Sequence, residues 1–124
     1  MPHREVLPMT PTQRSLAKLR AEGWVPYVVE RWNPFAHIRQ DLYGFIDIVA
    51  IKSGNPGVLA IQTTTTDNIQ SRITKSKENP NLSIWLSGGN KFKVWGWAKR
   101  GDRGKRKLWE LKEIEILPDG GIMN

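Results

Sequence analysis

The run Gly44-Phe45-Ile46-Asp47-Ile48-Val49-Ala50-Ile51 constrains this chain more than any other segment. It is β-branched, almost wholly apolar and bounded by turn residues, so it predicts a buried strand over 44–51. Ser53-Gly54-Asn55-Pro56-Gly57 has the composition of a hairpin turn, and Val58 to Thr65 (VLAIQTTT) reads as the return strand. The two apolar runs are similar in length, so an antiparallel hairpin through the Asn55 turn is expected. Inside it stands Asp47. A carboxylate in so apolar a run is costly to bury unless it is paired or bound to a cation. Alternation along a strand puts Phe45, Asp47, Val49 and Ile51 on one face, and Gln62, Thr64 and Thr66 on one face of the return strand. An Asp beside two oxygen-bearing side chains makes the kind of cluster that magnesium prefers. The residues alone leave a second reading open, in which Asp47 is hydrogen-bonded at a strand end and the threonines serve β-propensity.

The rest of the chain supplies elements around this hairpin. Residues 1–9 read as a short polar tail. Thr10-Pro11-Thr12-Gln13 is a helix start, with a Thr cap and proline at the first helical position, and Gly23 ends the helix, so one is predicted over about 11–22. Residues 24–32 read as a strand with an early proline, and 33–43 as an ordered loop. A polar helix is predicted over 67–78, ended by Asn79-Pro80, with Ile69 and Ile73 at i, i+4. Strands follow at 82–86, 92–99 and 108–117, with 100–107 as a basic hairpin loop. The order is α-β-β-β-α-β-β-β, an α+β chain with a central mixed sheet flanked by two helices.

Composition narrows the classes. A chain of 124 residues fits one domain, here 1–124, and is long enough to bury a core without a staple. There is no cysteine, which excludes a disulfide framework, thiol catalysis and thiolate zinc sites and suits a reducing cytoplasm. The only histidines are His3 and His37, too few for a histidine-rich metal centre. No apolar run approaches the roughly 20 residues of a membrane span, and the N-terminus lacks a signal-peptide core, so no membrane partner is expected.

Charge is unevenly placed. Between Gly89 and Lys112 stand nine Lys or Arg against two acids, Asp102 and Glu110, an excess equal to the +7 of the whole chain. A localised basic stretch is the footprint of a polyanion-binding surface, most often nucleic acid, although a solvated hairpin would carry charge in the same way. Its members are Lys91, Lys93, Lys99, Arg100, Arg103, Lys105, Arg106, Lys107 and Lys112. Trp95 and Trp97, two apart, are either core or a stacking surface beside Lys91 and Lys93.

The order of helix, strand, strand with Asp, short turn, strand and helix resembles the PD-(D/E)XK nuclease superfamily. More narrowly, Trp32-Asn33-Pro34, the run from Ile38-Arg39-Gln40-Asp41 to Asp47-Ile48, and Ile61-Gln62-Thr63-Thr64 look like small phage and prophage proteins of the Holliday-junction-resolvase or VRR-NUC-like branch. The later Trp95-Gly96-Trp97 and Trp109-Glu110-Leu111 segments look similar too, and the resemblance covers about 11–117. It implies a restriction-endonuclease-like core in which Asp47 is the metal-binding aspartate. Gln62 stands where the second acid should be, and Thr64 where the lysine should be. Glutamine offers a carbonyl oxygen without charge, and threonine offers no ammonium. Asp41 is a further candidate, as a metal ligand or as an Asp bonding its own turn. Glu22 is the one candidate acid on the first helix, and Asn68, Arg72 and Lys75, at i, i+4, i+7 on the second, offer a substitute cation. Arg39 and Gln40 are candidates for phosphate or base contacts, and His37 reads as a loop hydrogen-bonder.

The expected function is metal-dependent hydrolysis of DNA phosphodiesters, on branched DNA, by a cytoplasmic phage-encoded or bacterial deoxyribonuclease. Asp47 and Gln62, with Asp41, would hold Mg2+ or Mn2+, and a homodimer would place two sites on two strands. Two rivals remain: a nuclease-fold DNA-binding module without activity, and a phage protein whose basic loop binds an acidic protein partner.

Overall fold

In the computed structural model, which describes residues 9–101 and 107–124, the first helix begins where its capping signal stands. Thr10 accepts the Gln13 backbone N–H (3.2 Å) and Gln13 returns a side-chain bond to the Thr10 N–H (2.9 Å), satisfying two donors that a bare helix end leaves open. Helix α1 then runs Pro11–Ala21. Strand β1 (Val25–Val28) follows, and the segment expected as one strand to residue 32 breaks there. The stretch 33–43, expected as loop, contains half of a small hairpin formed by β2 (Arg31–Asn33) and β3 (Ile38–Gln40). Its strands are three residues each and bury almost nothing, so they carry no periodic signal.

The expected antiparallel hairpin is present as β4 (Ile48–Ile51) and β5 (Leu59–Thr65), in register Ile48↔Ile61 and Ala50↔Leu59. β4 is shorter than the apolar run, because residues 44–47 are used to enter the strand through a tight turn rather than to extend it. After β5 one 3-10 turn leads into α2 (Ile69–Glu78) and then α3 (Pro80–Ser87). The expected strand at 82–86 is therefore a helix. Asn79 caps it by accepting the Asn81 N–H at 2.9 Å, Pro80 takes the first turn, and Leu82 and Leu86, one helical turn apart, are its buried residues. A five-residue segment as short and apolar-rich as Leu82-Ser83-Ile84-Trp85-Leu86 suits either element by pattern, and here the i, i+4 leucines decide. The sheet thus has three helices around it rather than two.

Strands β6 (Lys91–Arg100) and β7 (Leu108–Ile116) form a long antiparallel ribbon, and β8 (Ile122–Met123) adds to its edge. The sheet order is β1-β4-β5-β6-β7-β8, mostly antiparallel, with β5 and β6 parallel. A parallel pair needs a crossover, which α2 and α3 provide. Two cores result, one on each sheet face. Leu19 of α1 packs with Ile48, Ala50, Leu59, Ile61 and Trp95. On the other face Ile69, Ile73, Leu82 and Leu86 pack with Phe45, Ile46, Ala60, Phe92, Val94 and the end of β7. Close approach of the crossover requires Gly96, where a Cβ would stand 2.3 Å from Ile69 Cδ1 and 2.9 Å from Thr66 Cα. Trp95 and Trp97 are buried on the α1 side, their indole N–H groups donating to Glu113 and Ser15 at 2.9 Å, so both belong to the core. No helix among the described residues is long and apolar enough to cross a membrane.

Candidate metal centre

Asp47 sits one residue before β4, where the sheet ladder gives way to the turn. Its backbone and side chain tie three segments together. The N–H donates to Ile61 O at 3.0 Å, and the carbonyl accepts from both Val29 N (2.9 Å) and Glu30 N (3.2 Å). Oδ2 accepts the Thr63 N–H at 2.9 Å. Asp47 is therefore a hydrogen-bonded residue at a strand end, as one sequence reading has it. The cluster around it suits the other reading as well. Holding Glu30 N–H against the Asp47 carbonyl brings the Glu30 carboxylate to the same place, and Asp41 arrives from β3. Carboxylate oxygens of Glu30, Asp41 and Asp47 lie within 4.8 Å of one another.

The turn that delivers Asp41 is tightly built. Leu42 and Ile46 form a bridge, with Leu42 N donating to Ile46 O at 2.8 Å, and Gly44 N donates to Asp41 O at 3.1 Å. Tyr43 and Gly44 both take positive φ, at 55° and 84°. Left-handed backbone costs a tyrosine energy unless its surroundings impose it. Asn79 does so: while its Oδ1 caps α3, its Nδ2 donates to Tyr43 O at 2.7 Å.

Electrostatics follow from this geometry. Asp47 is 4% exposed. Burial, then a hydrogen bond to Asp41 and repulsion from Asp41 and, less, from Glu30, push its carboxyl up from 3.8 to about 9, against the lowering effect of the Thr63 N–H. The direction of that shift favours the protonated Asp47 carboxyl at neutral pH. Gln62, buried on β5, donates from Nε2 to Asp41 Oδ2 at 3.1 Å, and its Oε1 accepts from Ser76 Oγ of α2 at 3.4 Å. Rotating that amide by half a turn exchanges its oxygen and nitrogen, since a serine hydroxyl both gives and takes.

Three carboxylates, one of them pushed toward its neutral form by burial and by the others, are a donor set that fits a hard divalent cation, which would take the place of the proton and of the repulsion. Glu30 is the member sequence reading missed. Its signal was faint, an acid directly after the apolar Val28-Val29, and its partner lies far along the chain. It is held also by Arg39, whose Nη1 stands 3.1 Å from Glu30 Oε1. Beside the acids an open cavity of about 530 Å3 is lined by Tyr27 of β1, Gln40 of β3 and the residues that follow those strands, among them Glu30, Asp41 and Tyr43.

The other expected site residues divide. Thr64 is buried on β5, two residues beyond Gln62, without a lysine beside the acids at that position. Glu22 ends α1, exposed and ion-paired with Lys18 at 2.8 Å, outside the acid cluster. Arg72 is half-buried on α2 between the inward residues Ile69, Ile73 and Ser76, with its Nε shielded and without a partner among the described residues. Asn68 is spent on Thr65 Oγ1 at 3.1 Å, and Lys75 is exposed. Gln40 is exposed on β3, and His37 takes a positive φ of 53° in the hairpin loop.

On the basic ribbon, Lys91, Lys99, Arg100 and Lys107 are exposed, whereas Lys93 is paired with Glu113 at 3.1 Å. Arg103, Lys105 and Arg106 lie outside the described residues. Comparison with family models, curated proteins and solved structures gave no match.

Proposed function

We propose that this chain is a metal-dependent nuclease of the PD-(D/E)XK type acting on DNA, with Glu30, Asp41 and Asp47 as its metal ligands and Gln62 beside them. The observation that carries the reading is the carboxylate triad at the entry to β4, with Asp47 buried and Glu30 and Asp41 half-buried, in a chain whose net charge is +7. A basic protein has no general reason to gather acids in one half-buried place, and the arrangement is paid for by protonating Asp47 unless a cation is bound. The order α1, β1, β4 with Asp47 at its head, β5 with Gln62 and Thr64, then α2 and parallel β6, supports the same reading.

A divalent ion bound there supplies a water of lowered pKa and polarises a phosphate oxygen. The chain's own residues do the rest. Glu30, Asp41 and Asp47 would hold the ion, with the Asp47 proton giving way to it, while Gln62 orients Asp41 through its amide and Arg39 holds Glu30 in place. Exposed Lys91, Lys99, Arg100 and Lys107 serve the DNA backbone. Thr64 in place of a lysine favours a second reading, a DNA-binding module without hydrolysis.

Incubating the protein with supercoiled, linear and branched DNA in Mg2+ or Mn2+ separates the two. Cleavage that EDTA stops supports the nuclease. Salt-dependent binding without cleavage supports the module, and no Mn2+ binding by calorimetry removes the metal centre.

A further inference from the structure

Tyr43 lines a second cavity as well, of about 310 Å3, together with Asn81, Ile84, Trp85 and Asn90. Its size is that of the smaller ligand pockets. Two of its walls are fixed by backbone bonds. Trp85 Nε1 donates to Lys91 O at 2.9 Å, which holds the indole in place. Asn90 Oδ1 accepts the Val58 N–H at 2.9 Å, so its Nδ2 is the end of the amide that remains to donate. Asn81 gives its backbone N–H to Asn79 Oδ1 at 2.9 Å, while its exposed side-chain amide makes no hydrogen bond among the described residues. The other two walls are large side chains that folding does not account for. Ile84 is 67% exposed on α3, and Tyr43 is 57% exposed at the positive φ that costs a tyrosine energy. Backbone outliers of this kind gather at ligand sites.

The lining has a definite chemistry. None of the five residues is Asp, Glu, Lys, Arg or His, although the chain carries a net charge of +7. A phosphate would call for the cations that are missing here. Aromatic and aliphatic walls with carboxamides between them suit a flat, neutral group that has donors and acceptors along its edge, which describes a nucleobase. The place fits too. Tyr43 belongs to this cavity and to the one beside Glu30 and Asp41, and it stands two residues after Asp41, a reach of at most roughly 7 Å of chain. In a duplex both faces of a base are covered by its neighbours, so a base enters such a cavity only after leaving the stack.

We propose that this cavity is a nucleobase site: it takes one unpaired base of the strand whose phosphate lies at the acid cluster, with Tyr43 and Ile84 against the ring and the Asn81 and Asn90 amides at its edge. This rests on the DNA-cleaving reading above and adds to it a contact with a base rather than with the backbone.

The test uses the full chain in EDTA, a short single-stranded oligodeoxynucleotide carrying 2-aminopurine, and a strand of equal length built from abasic units. Wild type binds the base-bearing strand at least ~10-fold more tightly than the abasic one and lowers the 2-aminopurine emission. Tyr43→Asn removes the ring with a residue that tolerates positive φ, and Asn81→Ala removes an amide from an exposed helix position. Each brings the ratio below about threefold and keeps the abasic-strand affinity and thermal midpoint of wild type, while Tyr43→Phe retains the ratio. Equal binding of the two strands by wild type, or a ratio unaltered in both variants, overturns the base site and leaves the nuclease reading standing if Mn2+-dependent cleavage is seen. A dimer in sedimentation that Ile84→Ala dissociates, with the ratio unchanged, also overturns it and assigns the cavity to a second copy. Absence of both DNA binding and cleavage removes the two readings together.

Discussion

The acid pocket and the basic ribbon hold charge in opposite ways. On the ribbon, Lys91, Lys99, Arg100 and Lys107 stand in water, where a charge costs little and any of them can be changed with small effect. In the pocket, Asp47 is buried against Asp41 and near Glu30, and burial together with two hydrogen bonds and two close charges decides whether it can ionise at all. Exposed charge says what the surface attracts. Buried charge of one sign says that something else must be supplied, and a proton and a divalent ion are the two candidates. The pocket is therefore the more informative region, although the ribbon dominates the sequence.

The largest effect should come from removing the pocket's central ligand. Asp47→Ala should lower Mg2+-dependent DNA cleavage by at least ~100-fold while leaving DNA affinity equal or tighter, measured by gel cleavage and by fluorescence anisotropy. Cleavage equal to wild type would break the contrast at once.

Gln62→Glu sharpens it. The variant replaces an amide that donates to Asp41 with another carboxylate, so it should unfold at lower temperature in EDTA. With Mn2+ it should bind about tenfold more tightly than wild type by calorimetry. Combined with Thr64→Lys, which supplies the missing ammonium, it should raise weak cleavage. If wild type has none and the double variant gains it, the module without hydrolysis is the correct description of the natural chain.

The proton in the pocket gives the next effect. Asp47 has its folded pKa at about 9 against 3.8, so between those values the folded chain holds a proton that the unfolded chain has released. Stability then falls as pH rises across that window, by up to ~1.4 kcal/mol per pH unit. Its contribution is complete below 3.8 and lost above about 9. Urea unfolding in EDTA from pH 5 to 9 should show this decline, and Asp47→Asn should flatten it. Because the ion competes with the proton, Mn2+ should restore more stability at pH 8 than at pH 6.

The ribbon should show the smallest effects. Lys99→Ala, Arg100→Ala and Lys107→Ala should each weaken DNA binding a few-fold and lower the salt slope by about one unit. Lys93→Ala, whose lysine is engaged by Glu113, should leave the slope unchanged. A slope that none of them alters would make the ribbon a solvated surface.

Asp47, the hairpin of β4 and β5, and the capped start of α1 were legible in the sequence, because each is a local matter. An apolar run, a turn of five suitable residues and a Thr-Pro cap act over short distances, and a carboxylate among isoleucines announces its own cost. Gln62 and Thr64 were placed by the same strand alternation. The tertiary structure decided what depends on distant partners. Leu82 to Leu86 became a helix because β5 and β6 lie parallel and need a crossover, and because Asn79 serves both that helix and the strained Tyr43 turn. Glu30 joined the acids, and Glu22 did not, because the Asp47 carbonyl takes the Val29 and Glu30 amides once β1 has paired with β4. Composition supplied the ligand chemistry, but only strand pairing chose which carboxylates share one site, since that choice is made by backbone hydrogen bonds between segments that the sequence keeps apart.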